Sequence, residues 1–190
     1  MRLHFVSTLL WLGLLGLTAS AEAASVTYTY TPINVLGGSS TVGQGINNAG
    51  QIVGAYTDSA GQGHGFLYSN GAYTTLDAPG GTSTTLLDIN NQGQIVGTYV
   101  DGSNTSRLFL DNNGAFTTID PLRGLIPFGG QFLGPGVAAG INDLGQIVST
   151  TFVQNVGTLG FLYDNGQFSS ILPLTGLSTT SYYGGCPSFR

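Results

Sequence analysis

Apolar residues recur along this chain in short runs, cut every few positions by glycine, asparagine or serine. Beyond residue 24 no window carries the spacing of an amphipathic helix, and the glycines would penalise one throughout. The pattern predicts short strands and turns, and it repeats. Ile46-Asn47-Asn48-Ala49-Gly50-Gln51-Ile52-Val53-Gly54 returns as Ile89-Asn90-Asn91-Gln92-Gly93-Gln94-Ile95-Val96-Gly97. It returns again as Ile141-Asn142-Asp143-Leu144-Gly145-Gln146-Ile147-Val148-Ser149. Between the first two copies the offset is 43 residues without a gap, so Tyr56 matches Tyr99, Asp58 matches Asp101 and Phe66 matches Phe109. The same offset runs backwards, placing residues 30–33 against 73–76. To the third copy the offset is 52, because nine residues are inserted between Asp120 and Gly140.

Each unit holds four strand candidates, which in the second unit are residues 84–89, 94–99, 107–110 and 115–119. Asn70-Gly71, Asn113-Gly114 and Asn165-Gly166 are hairpin turns, since both residue types accept left-handed dihedrals. The predicted fold is therefore all-β, a single repeat domain over residues 24–190 with units at about 41–83, 84–136 and 137–173. Four antiparallel strands per unit of this length match a β-propeller blade, and such blades stack face to face. A parallel β-helix has shorter repeats; a β-sandwich of hairpins is the more serious competitor. Ile95, Val96, Leu108, Phe109 and Leu110 supply the expected inter-blade core, and Gly97 fits where strands crowd.

Three complete units fall short of the roughly 4–8 blades of a closed propeller. A lone strand is expected at residues 28–35 before them, and at most one more at 177–183 after them. The expectation is an incomplete or open propeller of three four-stranded blades plus extra strands, or a truncated product of a longer repeat protein. Open sheet edges invite self-association.

The run I-N-N-x-G-Q-I-V-G, followed by G-F-L-Y and then x-N-G-x-[FY]-[TS]-[TS]-[LI], resembles the HAF family of extracellular repeats. The His-Ala-Phe step of that family survives as His64-Gly65-Phe66, while the later copies read Arg107-Leu108-Phe109 and Leu159-Gly160-Phe161. The likeness spans residues 28 to about 176. It implies a secreted bacterial protein with propeller-type repeats, and it brings no catalytic residues to transfer.

Residues 1–23 read as a secretory signal peptide. Arg2 precedes an apolar run over residues 5–17, too short for the roughly 20 residues that span a bilayer, and Ala19, Ala21 and Ala23 offer A-x-A cleavage sites. The expected location is extracellular, at the bacterial cell exterior or in the periplasm, with no membrane anchorage after cleavage. Net charge is −5, charged residues are only 7% of the chain, and Arg2, Arg107, Arg123 and Arg190 are its only fixed cations. That excludes an ordinary nucleic-acid binder, which needs clustered cations for the phosphates. Cleavage would leave eight acids, all Asp, with His64 as the only histidine and Cys186 as the only cysteine. Neither a structural zinc site nor an internal disulfide is then available, and no cofactor is expected.

His64, just ahead of a strand, is the first candidate for chemistry; its structural alternative is packing or a loop hydrogen bond. Asp58 and Asp101, like Asp77 and Asp120, recur at equivalent positions, which argues for turn capping over a catalytic pair. The Asp101 loop offers oxygens to calcium but lacks the spacing of a defined site. The insertion carries Arg123, Phe128 and Phe132, either an aromatic binding patch or a cover for the open edge. With no Glu after cleavage, one His and no G-x-S-x-G, the leading reading is a non-enzymatic module for an extracellular glycan, surface or protein partner. A propeller-type hydrolase or lyase acting on an extracellular polymer is the alternative.

Overall fold

Turn chemistry and strand pairing together produce three copies of one sheet. The first holds β1 (Ser40–Ile46), β2 (Ile52–Thr57), β3 (Gly63–Ser69) and β4 (Ala72–Thr75). The second holds β5 (Gly81–Ile89), β6 (Gln94–Asp101), β7 (Ser106–Asn112) and β8 (Ala115–Ile119). The third holds β9 (Phe132–Ile141), β10 (Ile147–Val153), β11 (Gly157–Asp164) and β12 (Gln167–Ser170). The computed structural model describes residues 27–35, 37–120, 132–153 and 157–171, with side chains described throughout except at 132–138, 153 and 157. Each sheet is an antiparallel meander, open at both edges, and the described residues contain no helix. The described residues from Ile33 onward belong to one compact unit.

The three Asn-Gly pairs close the β3–β4, β7–β8 and β11–β12 hairpins. Asn70, Asn113 and Asn165 have φ of 51°, 53° and 48°, with left-handed glycines behind them, as a two-residue type I′ loop requires.

Register is the same from sheet to sheet. Ile52 lies between Ile46 and Tyr68, Ile95 between Ile89 and Asp111, and Ile147 between Ile141 and Tyr163. The first strand pair of every sheet carries a register shift, at residues 43–45 of β1, at 86–88 of β5, and at 135–139 of β9 opposite 149–151 of β10. Alternation then sends neighbouring side chains to opposite faces. Val53 on the forward face of the first sheet meets Leu86, Ile89, Ile95 and Phe109 of the second. Val96, Leu108 and Ile119 of the second meet Ile141, Ile147 and Phe161 of the third. The leading strands carry this packing, β5 against β1, β2 and β3, and β9 against β5, β6 and β7. Each fully buried Leu or Phe here contributes about 1.5–3 kcal/mol.

Gly97 is set by close approach. A Cβ there would stand 2.5 Å from the Thr85 carbonyl oxygen and 2.7 Å from Phe109 Cζ, so only glycine lets that ring lie across the strand. Gly54 does the same for Phe66, and the buried Ser149 faces Phe161 in the third sheet.

The end sheets expose what the middle sheet buries. Ile89 and Ile141 are 4% and 9% exposed against 65% for Ile46; Val53 and Val96 are both 0% exposed against 47% for Val148. The lone strand expected at residues 28–35 does not form: 27–35 has no strand pairing, and Tyr28 and Tyr30 are exposed. These residues match β4, which pairs only with β3, and no third-strand counterpart precedes them among the described residues. The second candidate, residues 177–183, lies outside the described residues, as does the signal segment.

Candidate functional site

The loop after β2 and the segment after β4 bring three titratable groups together. Asp58 caps its own loop, its Oδ1 accepting the amides of Ala60 and Gln62 at 2.8 Å each. That places Oδ2 3.4 Å from His64 Nε2. From the other side, Asp77 Oδ2 lies 2.7 Å from His64 Nδ1, and its Oδ1 accepts the Gly65 amide at 3.1 Å. Tyr56, cross-strand from His64, stacks on the imidazole with ring centroids 5.2 Å apart. The hydrogen bond to Asp77 raises the His64 pKa above its ordinary value, with Asp58 adding to it against a partial desolvation penalty. Asp58 is held below the usual carboxylate range, chiefly by the Gln62 amide.

A carboxylate at each ring nitrogen favours the protonated imidazole, the form that has no lone pair with which to take a proton from a substrate. An open cleft of about 280 Å³ adjoins the cluster, lined by Gln62, His64, Asp77 and residues 81–84. Gln62 crosses it to bond the Thr82 carbonyl.

The second unit repeats the plan with a permanent cation. Asp101 Oδ1 accepts the Ser103 and Thr105 amides and the Ser103 hydroxyl at 2.6–2.9 Å, and Arg107 Nε donates to Oδ2 at 2.9 Å. Its pKa is strongly depressed, first by the Ser103 hydroxyl, then by Thr105 and Arg107. The oxygens that suggested calcium are thus engaged in a turn and an ion pair. The third unit has Val153 and Leu159 at these positions, so the pair ends with the second sheet.

The most regular polar feature is the repeated I-N-N motif. Asn47, Asn90 and Asn142 each accept two amides of their own turn and donate to the Gln four residues on, at 2.7–2.8 Å. The same amide then reaches the next sheet: Asn47 Nδ2 donates to the Asn90 carbonyl at 3.1 Å, and Asn90 Nδ2 to the Asn142 carbonyl at 3.0 Å. Beside it the Asn48 amide donates to Asn91 Oδ1 and the Asn91 amide to Asp143 Oδ1, both at 2.9 Å. The Asn91 amide and side chain together depress the Asp143 pKa. Asp88 adds a further tie, its Oδ2 accepting the Ile141 amide at 3.0 Å.

Of the binding candidates, Arg123 and Phe128 lie outside the described residues. Phe132 opens β9, and its side chain is outside the description. His64 is placed, with two carboxylate partners that its isolation in sequence did not suggest. A second open cleft, about 450 Å³, lies between the second and third sheets, lined by Thr118, Asp120, Tyr163, Phe168 and neighbours. In the sequence the I-N-N motif reads as a turn alone; its reach across sheets is visible only in the structure. The available signal was the strict Asn at positions 47, 90 and 142, where Asp or Gly would close a turn equally well, with Gln always four residues later. The chain matches no family model, and no curated protein matches it.

Proposed function

We propose that the chain is a secreted, non-enzymatic repeat module of the HAF type, its three sheets an open propeller-like arc, that binds an extracellular glycan, surface or protein partner. One observation carries the non-enzymatic reading: both nitrogens of His64, the only histidine among the described residues, face carboxylates that are themselves tied to main-chain amides. A general base needs a free lone pair within reach of substrate, and this arrangement withholds it. The stacked repeats with a shared register support the propeller-like reading, and the pattern of residues 1–23 supports export.

Among possible partners the cleft between the second and third sheets favours a glycan. It sets the rings of Tyr163 and Phe168 beside Asp120 and Thr118, an apolar face with flanking polar groups, which is what a sugar ring presents in return. A glycan array probed with the purified chain, run beside reducing-end assays on the polymers that bind, tests this. Binding weakened by Tyr163→Ala with no release of reducing ends is expected. Turnover that Asp77→Asn abolishes would overturn the reading in favour of a hydrolase or lyase.

A further inference from the structure

The two sheet-to-sheet contacts within the chain are one contact made twice. Each forward face offers a valine, Val53 or Val96, and a second side-chain N–H, from Asn47 or Asn90. Each rear face offers two isoleucines, a main-chain carbonyl and a side-chain oxygen: Ile89, Ile95, Asn90 and Asn91 in one, Ile141, Ile147, Asn142 and Asp143 in the other. Among the described residues, the first and third sheets carry one more of each half. The first sheet presents a rear face with Ile46, Ile52, the Asn47 carbonyl and Asn48. The third presents a forward face with Val148, Phe152 and the Asn142 amide, whose bond to Gln146 uses one of its two N–H groups.

We propose that a second copy of this chain occupies these faces, the third sheet of one copy stacking on the first sheet of another. Asn142 Nδ2 then donates to the partner copy's Asn47 carbonyl, the Asp143 amide donates to its Asn48 Oδ1, and Val148 packs on its Ile46 and Ile52. The described residues of two copies bring six sheets, within the roughly 4–8 of closed rings, so on the propeller-like reading, on which ring closure rests, the expected species is a closed dimer. Pairing at open strand edges would leave Ile46 and Val148 in water, and face stacking covers both. The junction is weaker than the internal ones. Leu86 of the second sheet fills the space over Gly65, whereas its counterpart Gly43 would meet Gly160, and the gap forfeits dispersion contacts. Association is therefore reversible and concentration-dependent. It stands whether or not the module binds a glycan.

Sedimentation equilibrium on the full chain tests it. Ile46→Asp and Val148→Asp, on opposite ends, should each raise the dissociation constant at least about 100-fold by burying a charge, with unchanged far-UV circular dichroism. Mixed in equal amounts the two variants should associate more tightly than either alone but less tightly than the wild type, because the forward face of one and the rear face of the other restore one of the two junctions while the second carries both aspartates. Should an aspartate unfold its sheet, Ile46→Thr and Val148→Thr weaken the same contact at near-native shape. A wild-type monomer at all concentrations, an assembly indifferent to both substitutions, or a mixture that associates no more tightly than either variant alone would each overturn the proposal.

Discussion

Replacing Asn90 by alanine separates the inter-sheet latch from everything else that holds the fold. Asn90 is 3% exposed and its side chain makes four hydrogen bonds, accepting the amides of Gln92 and Gln94 and donating to Gln94 Oε1 and the Asn142 carbonyl. A neutral bond contributes about 0.5–1.5 kcal/mol, and a buried group left unpaired costs about 1–3 kcal/mol. Water reaches the turn amides once the side chain is gone, so the expected net loss is about 3 kcal/mol rather than the full total. Asn142→Ala removes the same bonds within its turn at an exposed site and severs no sheet-to-sheet tie among the described residues, so about 1 kcal/mol is expected there. Asn90→Asp keeps the acceptor for both turn amides and sets an anion against two oxygens. It should destabilise at neutral pH at least as much as alanine does, with part of the loss recovered in acid as the carboxylate protonates. Urea unfolding, at protein concentrations low enough that copies do not associate, gives all three values. Equal losses at Asn90 and Asn142, or a loss below about 1 kcal/mol for Asn90→Ala, would refute the latch.

Gly97→Ala should destabilise by about 3 kcal/mol, because neither the Thr85 carbonyl nor Phe109 can retreat from a Cβ without breaking the β5–β6 ladder or the core; thermal unfolding of the variant checks it. The His64 pKa is raised in the folded state, so the stabilisation from its carboxylate partners is fully present below the ordinary value of 6.5 and is lost as pH rises through the native value. Thermal midpoints across that window should fall with pH in the wild type, and a His64→Gln variant should lack that component; a parallel dependence in both would remove the ion cluster from the account.

Much of this architecture was legible in the chain. Three occurrences of a nine-residue phrase set the number of sheets, and Asn-Gly pairs set the hairpins, because a type I′ turn depends on two local dihedrals and little else. Alternation at Ile95-Val96 and Leu108-Phe109 announced two buried faces, since side chains in a strand can point only two ways. The site was less legible. Asp77 reaches His64 from thirteen residues away, and that meeting depends on how β3 and β4 are registered. The Asn47, Asn90 and Asn142 ladder needs sheets stacked at hydrogen-bonding distance, a relation between residues 43 and 52 apart.

Sequence alone therefore decided what each segment does on its own scale: strand or turn, apolar or polar face, repeat or insertion. Tertiary structure decided everything that depends on what lies opposite. Ile46 and Ile89 are the same residue in the same phrase, yet one is exposed and the other buried. Residues 28–35 carry strand-forming residues without forming a strand. In each case the local chain is equally competent, and the difference is whether a neighbouring sheet or strand is present to take it out of water.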